Sequence, residues 1–219
     1  TTKTIAKIAG AVLAGMMALS FAGCNEKNSG SGAASADGLT KAQAKLLKGK
    51  PAPEADFEIK LSDDGSYVTI TNYKGKAKEV VIPSTIQGLP VKALEGYFAD
   101  GKKLTGVVIP EGVEYLYQTF SSQYDLTTVV LPSTLKAIDR GAFSACKKLT
   151  GVNLPEGLVA IGQGAFRGSG ITSISLPKSL KMLGDESFKN CNNLSEITIP
   201  EGLSVVKGSQ VMPRYKNGS

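Results

Sequence analysis

A β-rich solenoid, built from one short strand per 22–23-residue repeat stacked into a parallel sheet, is the fold class this sequence predicts. Three observations predict it. Pro83, Pro110, Pro132, Pro155, Pro177 and Pro200 are separated by 27, 22, 23, 22 and 23 residues. Phe98, Phe120, Phe143, Phe166 and Phe188 are separated by 22, 23, 23 and 22. Six residues before five of the prolines stands Leu104, Leu126, Leu149, Ile171 or Leu194, so that "LTGVVIP", "LTTVVLP", "LTGVNLP", "ITSISLP" and "LSEITIP" all fit L-x-x-L-x-L. A unit of this length cannot bury its apolar side alone, whereas stacked copies can.

Each element of the unit has a reason. Side chains alternate along a strand, so Val107 and Ile109 of "LTGVVIP" enter one core with Leu104, while Gly106 and Val108 point to the other side. Proline after the strand ends ladder pairing and turns the chain. The second half, "STLKAIDRGAF" in one unit, returns along the opposite wall as an irregular or short helical segment. Gly162 and Gly184 are expected to supply positive φ at a tight corner. The phenylalanines should form a stacked spine. Outward columns run Glu79, Gly106, Thr128, Gly151, Ser173, Glu196 and Val81, Val108, Val130, Asn153, Ser175, Thr198, which predicts a flat surface of small or β-branched residues.

Ahead of the array, "FEIKLSDDGSYVTI" alternates through Phe57, Ile59 and Leu61, turns at Asp64-Gly65 and resumes at Tyr67. Residues 56–76 therefore read as an N-terminal β-hairpin cap over the open end of the solenoid, which takes 77–219.

The first 55 residues have a different character. Residues 1–23 carry Lys3 and Lys7, then an apolar run from Ile8 to Phe21, then small residues: the pattern of a secretory signal peptide. Ending in Phe21-Ala22-Gly23-Cys24, the run resembles a bacterial lipoprotein signal, which implies lipid attachment at Cys24, anchorage to a membrane and work outside the cytoplasm. Residues 24–55 read as the lipidated cysteine and a flexible tether rich in Ser, Gly and Ala, with a short helix in "LTKAQAKLLKG".

Composition excludes more than it assigns. The chain has no His and no Trp, which removes the neutral-pH imidazole base and the commonest metal ligand. Three cysteines are too few for a disulfide framework. Without Lys3 and Lys7, 23 basic side chains face 19 acidic ones, and the lysines are scattered among acids, so no nucleic-acid partner is expected. No phosphate-cradling glycine motif or nucleophile-base pair stands out, so no catalytic residue, cofactor or metal is assigned and the protein reads as a non-enzyme.

The unit L-x-x-L-x-L-P, then A-F, then Cys or a small residue and Leu, resembles the BspA-type leucine-rich repeat over about residues 67–211. That resemblance implies a leucine-rich-repeat solenoid and a bacterial surface protein whose partners are host matrix proteins or other bacterial surface proteins. It implies an adhesin-like role; the other reading of the residues is an envelope scaffold or accessory subunit facing the periplasm. The last unit departs from the pattern, with Val211 where Phe is expected.

For a binding site, the residues that stand out are Tyr97, Tyr115, Tyr117 and Tyr124 around the irregular second repeat. Tyr115 aligns with Ala137, Ala160 and Met182, and Tyr117 with Asp139 and Gly162. Exposed clustered tyrosines suit a binding hot spot. Lys102-Lys103 and Lys147-Lys148 occupy equivalent loops and should form a weak basic edge. Cys146 and Cys191 share a slot two repeats apart, about 10 Å at ~4.8 Å per rung, too far for a disulfide.

Overall fold

The computed structural model describes residues 3–6, 39–101 and 103–206; Cys24, Lys102 and Val211 lie outside them. In chain order the elements are β1 (Lys3–Ala6), α1 (Lys41–Leu46), a 3-10 turn (Glu54–Asp56), β2 (Phe57–Leu61), β3 (Val68–Tyr73), β4 (Glu79–Val81), β5 (Thr85–Ile86), β6 (Leu89–Glu95), β7 (Gly106–Val108) and β8 (Tyr115–Tyr117). There follow β9 (Thr128–Val130), β10 (Ala137–Ile138), β11 (Ala160–Ile161), β12 (Ser173–Ser175), β13 (Met182–Gly184), β14 (Glu196–Ile199) and β15 (Ser204–Val206).

These strands form two parallel walls of a solenoid. The front wall holds β4-β7-β9 and, separately, β12-β14, with β1 antiparallel on the β14 edge. The back wall runs β2-β3-β6-β8-β10-β11-β13-β15 without a break, and β5 turns back on β6. Register follows the repeat: Val80 stands beside Val107 and Val107 beside Val129 in front, Leu116 beside Ile138 and Ile138 beside Ile161 behind. The antiparallel pair β2 and β3 is the expected hairpin, and it caps the stack by pairing β3 with β6.

The return was expected to lack a strand of its own, yet most units carry one of two or three residues on the back wall. Such strands are too short to show alternation in the sequence; what holds them is the neighbour above and below. Between β9 and β12, residues 151–154 pack Val152 into the core without strand pairing, which divides the front wall.

The spine is as the spacing predicts. Ring centroids of Phe98, Phe120, Phe143, Phe166 and Phe188 follow one another at 5.2, 5.4, 5.4 and 5.5 Å. It also reaches into the cap, where Tyr73 stacks on Phe98 at 5.7 Å and Phe57 meets Tyr73 at 5.3 Å. Aromatic pairs at these separations add to their burial, so the spine couples cap and array.

Two expectations are corrected. Gly162 and Gly184 do not have positive φ; that conformation falls on Gly96, Gln118, Gly141, Gly164 and Glu186 in one column and Ala99, Ser122, Ala145, Gly168 and Asn190 in another. Gly184 is a glycine because the rung before it is too close: a Cβ there would lie 2.5 Å from the Gln163 nitrogen, and one at Gly162 would run into Asp139 and the Arg140 nitrogen. Second, Gly106, Val108 and Val130 do not face solvent. They are buried beneath α1.

Six residues are too few for an independent helix, so α1 exists by docking. Thr40 starts it with a capping box, its hydroxyl accepting from the Gln43 N–H while the Gln43 side chain accepts from the Thr40 N–H. Leu46 then packs on Val108 and Val130, with Val81 alongside. Gln43, buried, donates its amide to the Val129 carbonyl at 2.8 Å, on the side of β9 where the front wall is divided. Downstream, the Ala52 N–H donates to the Val81 carbonyl at 2.8 Å. Residues 40–52 thus form a strap across the first three front rungs.

Candidate functional site

The four tyrosines separate into two pairs. Tyr115 and Tyr117 lie on β8 in the back wall, either side of buried Leu116, with Tyr117 the more exposed. Tyr97 directly precedes the spine residue Phe98 and Tyr124 follows Phe120 by four residues; they are 59% and 53% exposed, the largest apolar exposures among the described residues. The pairs are linked through backbone, since the Gly96 N–H donates to the Tyr117 carbonyl at 3.0 Å.

Tyr97 and Tyr124 line one pocket of about 440 Å³, shared with Asp100, Lys103 and Asp125. Its floor is rigid. Gln123, buried, accepts from the Leu104 N–H and donates to the Phe98 and Ala99 carbonyls, which ties the second rung to the first. Ala99 and Ser122 both hold positive φ at this corner, a conformation that fixes where the tyrosines emerge.

The basic edge converges on the same place. Lys147 sits over the Tyr124 ring, 5.3 Å from its centroid, and Lys148 pairs with Asp125 at 2.6 Å. The hydrogen bond and the charge of Lys148 hold the Asp125 carboxyl below the usual range against a small opposing effect of burial, and Lys103 and Lys78 pull it in the same direction. The sequence contained this signal, because Tyr124 and Lys147, and Asp125 and Lys148, are each 23 residues apart, one repeat. Reading tyrosines and lysines as separate features missed it.

A second concavity, about 860 Å³, lies on the front wall beyond the strap, floored by small residues such as Gly151, Ser173 and Ser175. No described aromatic lines it. Cys146 and Cys191 are free, buried thiols, donating to the Phe120 and Phe166 carbonyls at 3.1 and 2.9 Å. Burial pushes the Cys146 thiol up to about 12, which suppresses the thiolate a nucleophile or metal ligand needs. Among the described residues no group of His, Cys, Asp or Glu is arranged to hold a metal ion.

Residues 116–211 match the family model described as BspA type leucine rich repeat region, in six copies. A crystal structure of a leucine-rich repeat protein from T. pallidum is 29% identical with a TM-score of 0.60, the alignment covering 71% of this chain and 86% of that one. A leucine-rich repeat protein from Bacteroides ovatus ATCC 8483 is 25% identical with a TM-score of 0.61 over 69% of this chain, which spans 42% of that protein. Comparison with curated proteins gives no match.

Proposed function

Because the repeat array of this chain belongs to the BspA-type leucine-rich-repeat family, we propose that the protein is a non-enzymatic, lipid-anchored binding module that works outside the cytoplasm and takes protein partners in an adhesin-like manner. Repeat arrays of this kind suggest protein interaction in general. The finer reading rests on the residues. The basic, apolar and small-residue segments that end at Cys24 support export and lipidation there. Partners in this reading are host matrix proteins or proteins of other bacterial surfaces.

The observation that carries the binding role is the corner where Tyr97 and Tyr124 stand exposed over a fixed floor. Exposed tyrosines anchored on rigid backbone are the residue type that dominates interface energetics. Elsewhere in the described repeats Tyr117 is the other exposed large apolar side chain, at 37%, so the exposure is concentrated at this corner.

Protease shaving of intact cells tests the placement, with a cytoplasmic protein as lysis control. Release of fragments from residues 56–206 is expected. Protection of a domain that the same protease cleaves when purified would favour a periplasm-facing envelope scaffold instead.

A further inference from the structure

We propose that the tyrosine-lysine corner is a docking site for an extended acidic peptide segment, with one side chain of the peptide held between Tyr97 and Tyr124 and its carboxylates met by Lys103, Lys147 and Lys148. It rests on the reading of the array as a protein-binding module and names the partner chemistry of that site.

The repeat alignment sets the arrangement. Where the first and third rungs carry lysine pairs, the second carries Tyr124-Asp125, so the tyrosine has lysines in the equivalent loop on both sides. The rungs holding Lys103 and Lys148 are two apart, about 10 Å at ~4.8 Å each. Lys78, Lys103, Lys147 and Lys148 are all exposed, and the acids among them are Glu79, Asp100 and Asp125, with Asp125 already paired to Lys148. The field of the corner is therefore positive, and Lys103 and Lys78 act on Asp125 from the side away from its partner lysine.

The pocket decides between anionic partners. A volume of about 440 Å³ walled by two aromatic side chains accepts an inserted side chain, and one wall already stacks on an ammonium from its own chain. A densely charged polymer would have to lay sulfates against Asp100, exposed at the mouth, and would leave the pocket unfilled. An acidic peptide separates its carboxylates and brings a side chain for the space between.

The test uses the full chain and a fluorescent extended peptide of alternating Glu and Thr with one central Tyr, read by anisotropy. The comparison probes are the same peptide with Lys for Glu and a heparin oligosaccharide. The acidic peptide should bind, the lysine peptide should not, and raising the salt should weaken binding by about tenfold or more. The pair Tyr97→Ala/Tyr124→Ala and the pair Lys147→Glu/Lys148→Glu should each weaken it about tenfold, both at exposed positions where folding is unaffected. Equal binding of the two peptides would overturn the inference, as would oligosaccharide binding that is tighter and indifferent to the tyrosine pair. A purified matrix or surface protein held as well by the tyrosine variant as by the parent would remove this site while leaving the module reading intact.

Discussion

Leu46 Cδ2 lies 2.9 Å from where a Cβ on Gly106 would stand, so the strap's leucine occupies space that the second front rung leaves by having no side chain. The contact explains a column that otherwise looks irregular: Val81, Val108 and Val130 are covered by the strap, and the rungs beyond it carry Asn153, Ser175 and Thr198 at the same position. Apolar residues end where their cover ends.

Leu46→Ala should lower the local stability of the strap by about 2 kcal/mol, read as faster amide exchange at Gly49 and Ala52. Gly106→Ala should cost about 1 kcal/mol in the parent, since Leu46 must shift, and almost nothing once Leu46 is Ala. Additive costs in that cycle would mean the two residues do not meet.

Phe143 is fully buried between Phe120 and Phe166, each 5.4 Å away. Phe143→Ala should cost about 3 to 5 kcal/mol in a denaturant titration, and a loss below about 1 would contradict the stacking.

Gly184 and Gly151 separate two reasons for glycine, because neither has positive φ. A Cβ at 184 meets backbone of the preceding rung at 2.5 Å, whereas one at 151 meets nothing within 4 Å. Gly184→Ala should destabilise by about 1 to 3 kcal/mol and Gly151→Ala by less than about 0.5. Equal costs would show that the close approach is not what selects glycine at 184.

The rungs, the spine and the hairpin cap were legible because each rests on residue types that recur at a fixed interval. The strap was not legible as a cover, since "TKAQAKLLK" supplies only one leucine and one glutamine to the contact and the rest of it is solvated. Gly162 and Gly184 were misread because close approach and positive φ both select glycine, and only geometry tells them apart. The positive φ columns show the converse: Gln118, Ser122 and Ala145 adopt it without being glycine, each N–H bonded to a carbonyl of the next rung. At the site, the tyrosines were visible one by one, but their meeting with the lysines depends on the loops of neighbouring rungs lying side by side.

Cys146 gives a pH dependence with a definite sign. Its ordinary value is 9.0 and burial raises it to about 12 in the fold. Below pH 9 both folded and unfolded chains keep the proton and there is no effect. Between pH 9 and 12 the unfolded chain loses the proton first, so stability falls as pH rises, and above 12 the loss levels off. Ser169 stands in the corresponding slot of the next rung and contacts Cys191, so a serine fits this column. Cys146→Ser should therefore fold and show a flatter decline of stability above pH 9 than the parent. Parallel declines would mean the thiol is not protected by burial.

The corner after each proline alternates between hydroxyl and glycine: Pro132-Ser133-Thr134 and Pro177-Lys178-Ser179 lie between Pro110-Glu111-Gly112, Pro155-Glu156-Gly157 and Pro200-Glu201-Gly202. The hydroxyl rungs bond back to the rung before them, while Gly112 and Gly202 take positive φ and Gly157 lies against a close neighbour. Thr134 donates to the Val113 carbonyl at 2.8 Å and accepts from the Gly112 N–H at 3.0 Å, Glu111 accepts from the Ser133 N–H and hydroxyl at 2.9 Å each, and Ser179 repeats the donation to Leu158 at 2.7 Å. On the other side of Thr134 there is no room, because a Cβ at Gly157 would come within 3.0 Å of the Ser133 carbonyl oxygen. The stacking unit at this corner is therefore two repeats, 45 residues from Pro110 to Pro155 and again from Pro132 to Pro177. Thr134→Val keeps the volume and should cost about 1 kcal/mol through the two lost hydrogen bonds, while Thr134→Ser should cost less than about 0.5. Gly157→Ser supplies a hydroxyl at the excluded position and should destabilise by about 1 to 3 kcal/mol. If Gly157→Ser were neutral in a denaturant titration, the rungs would be interchangeable at this corner and the two-repeat period would have no physical basis.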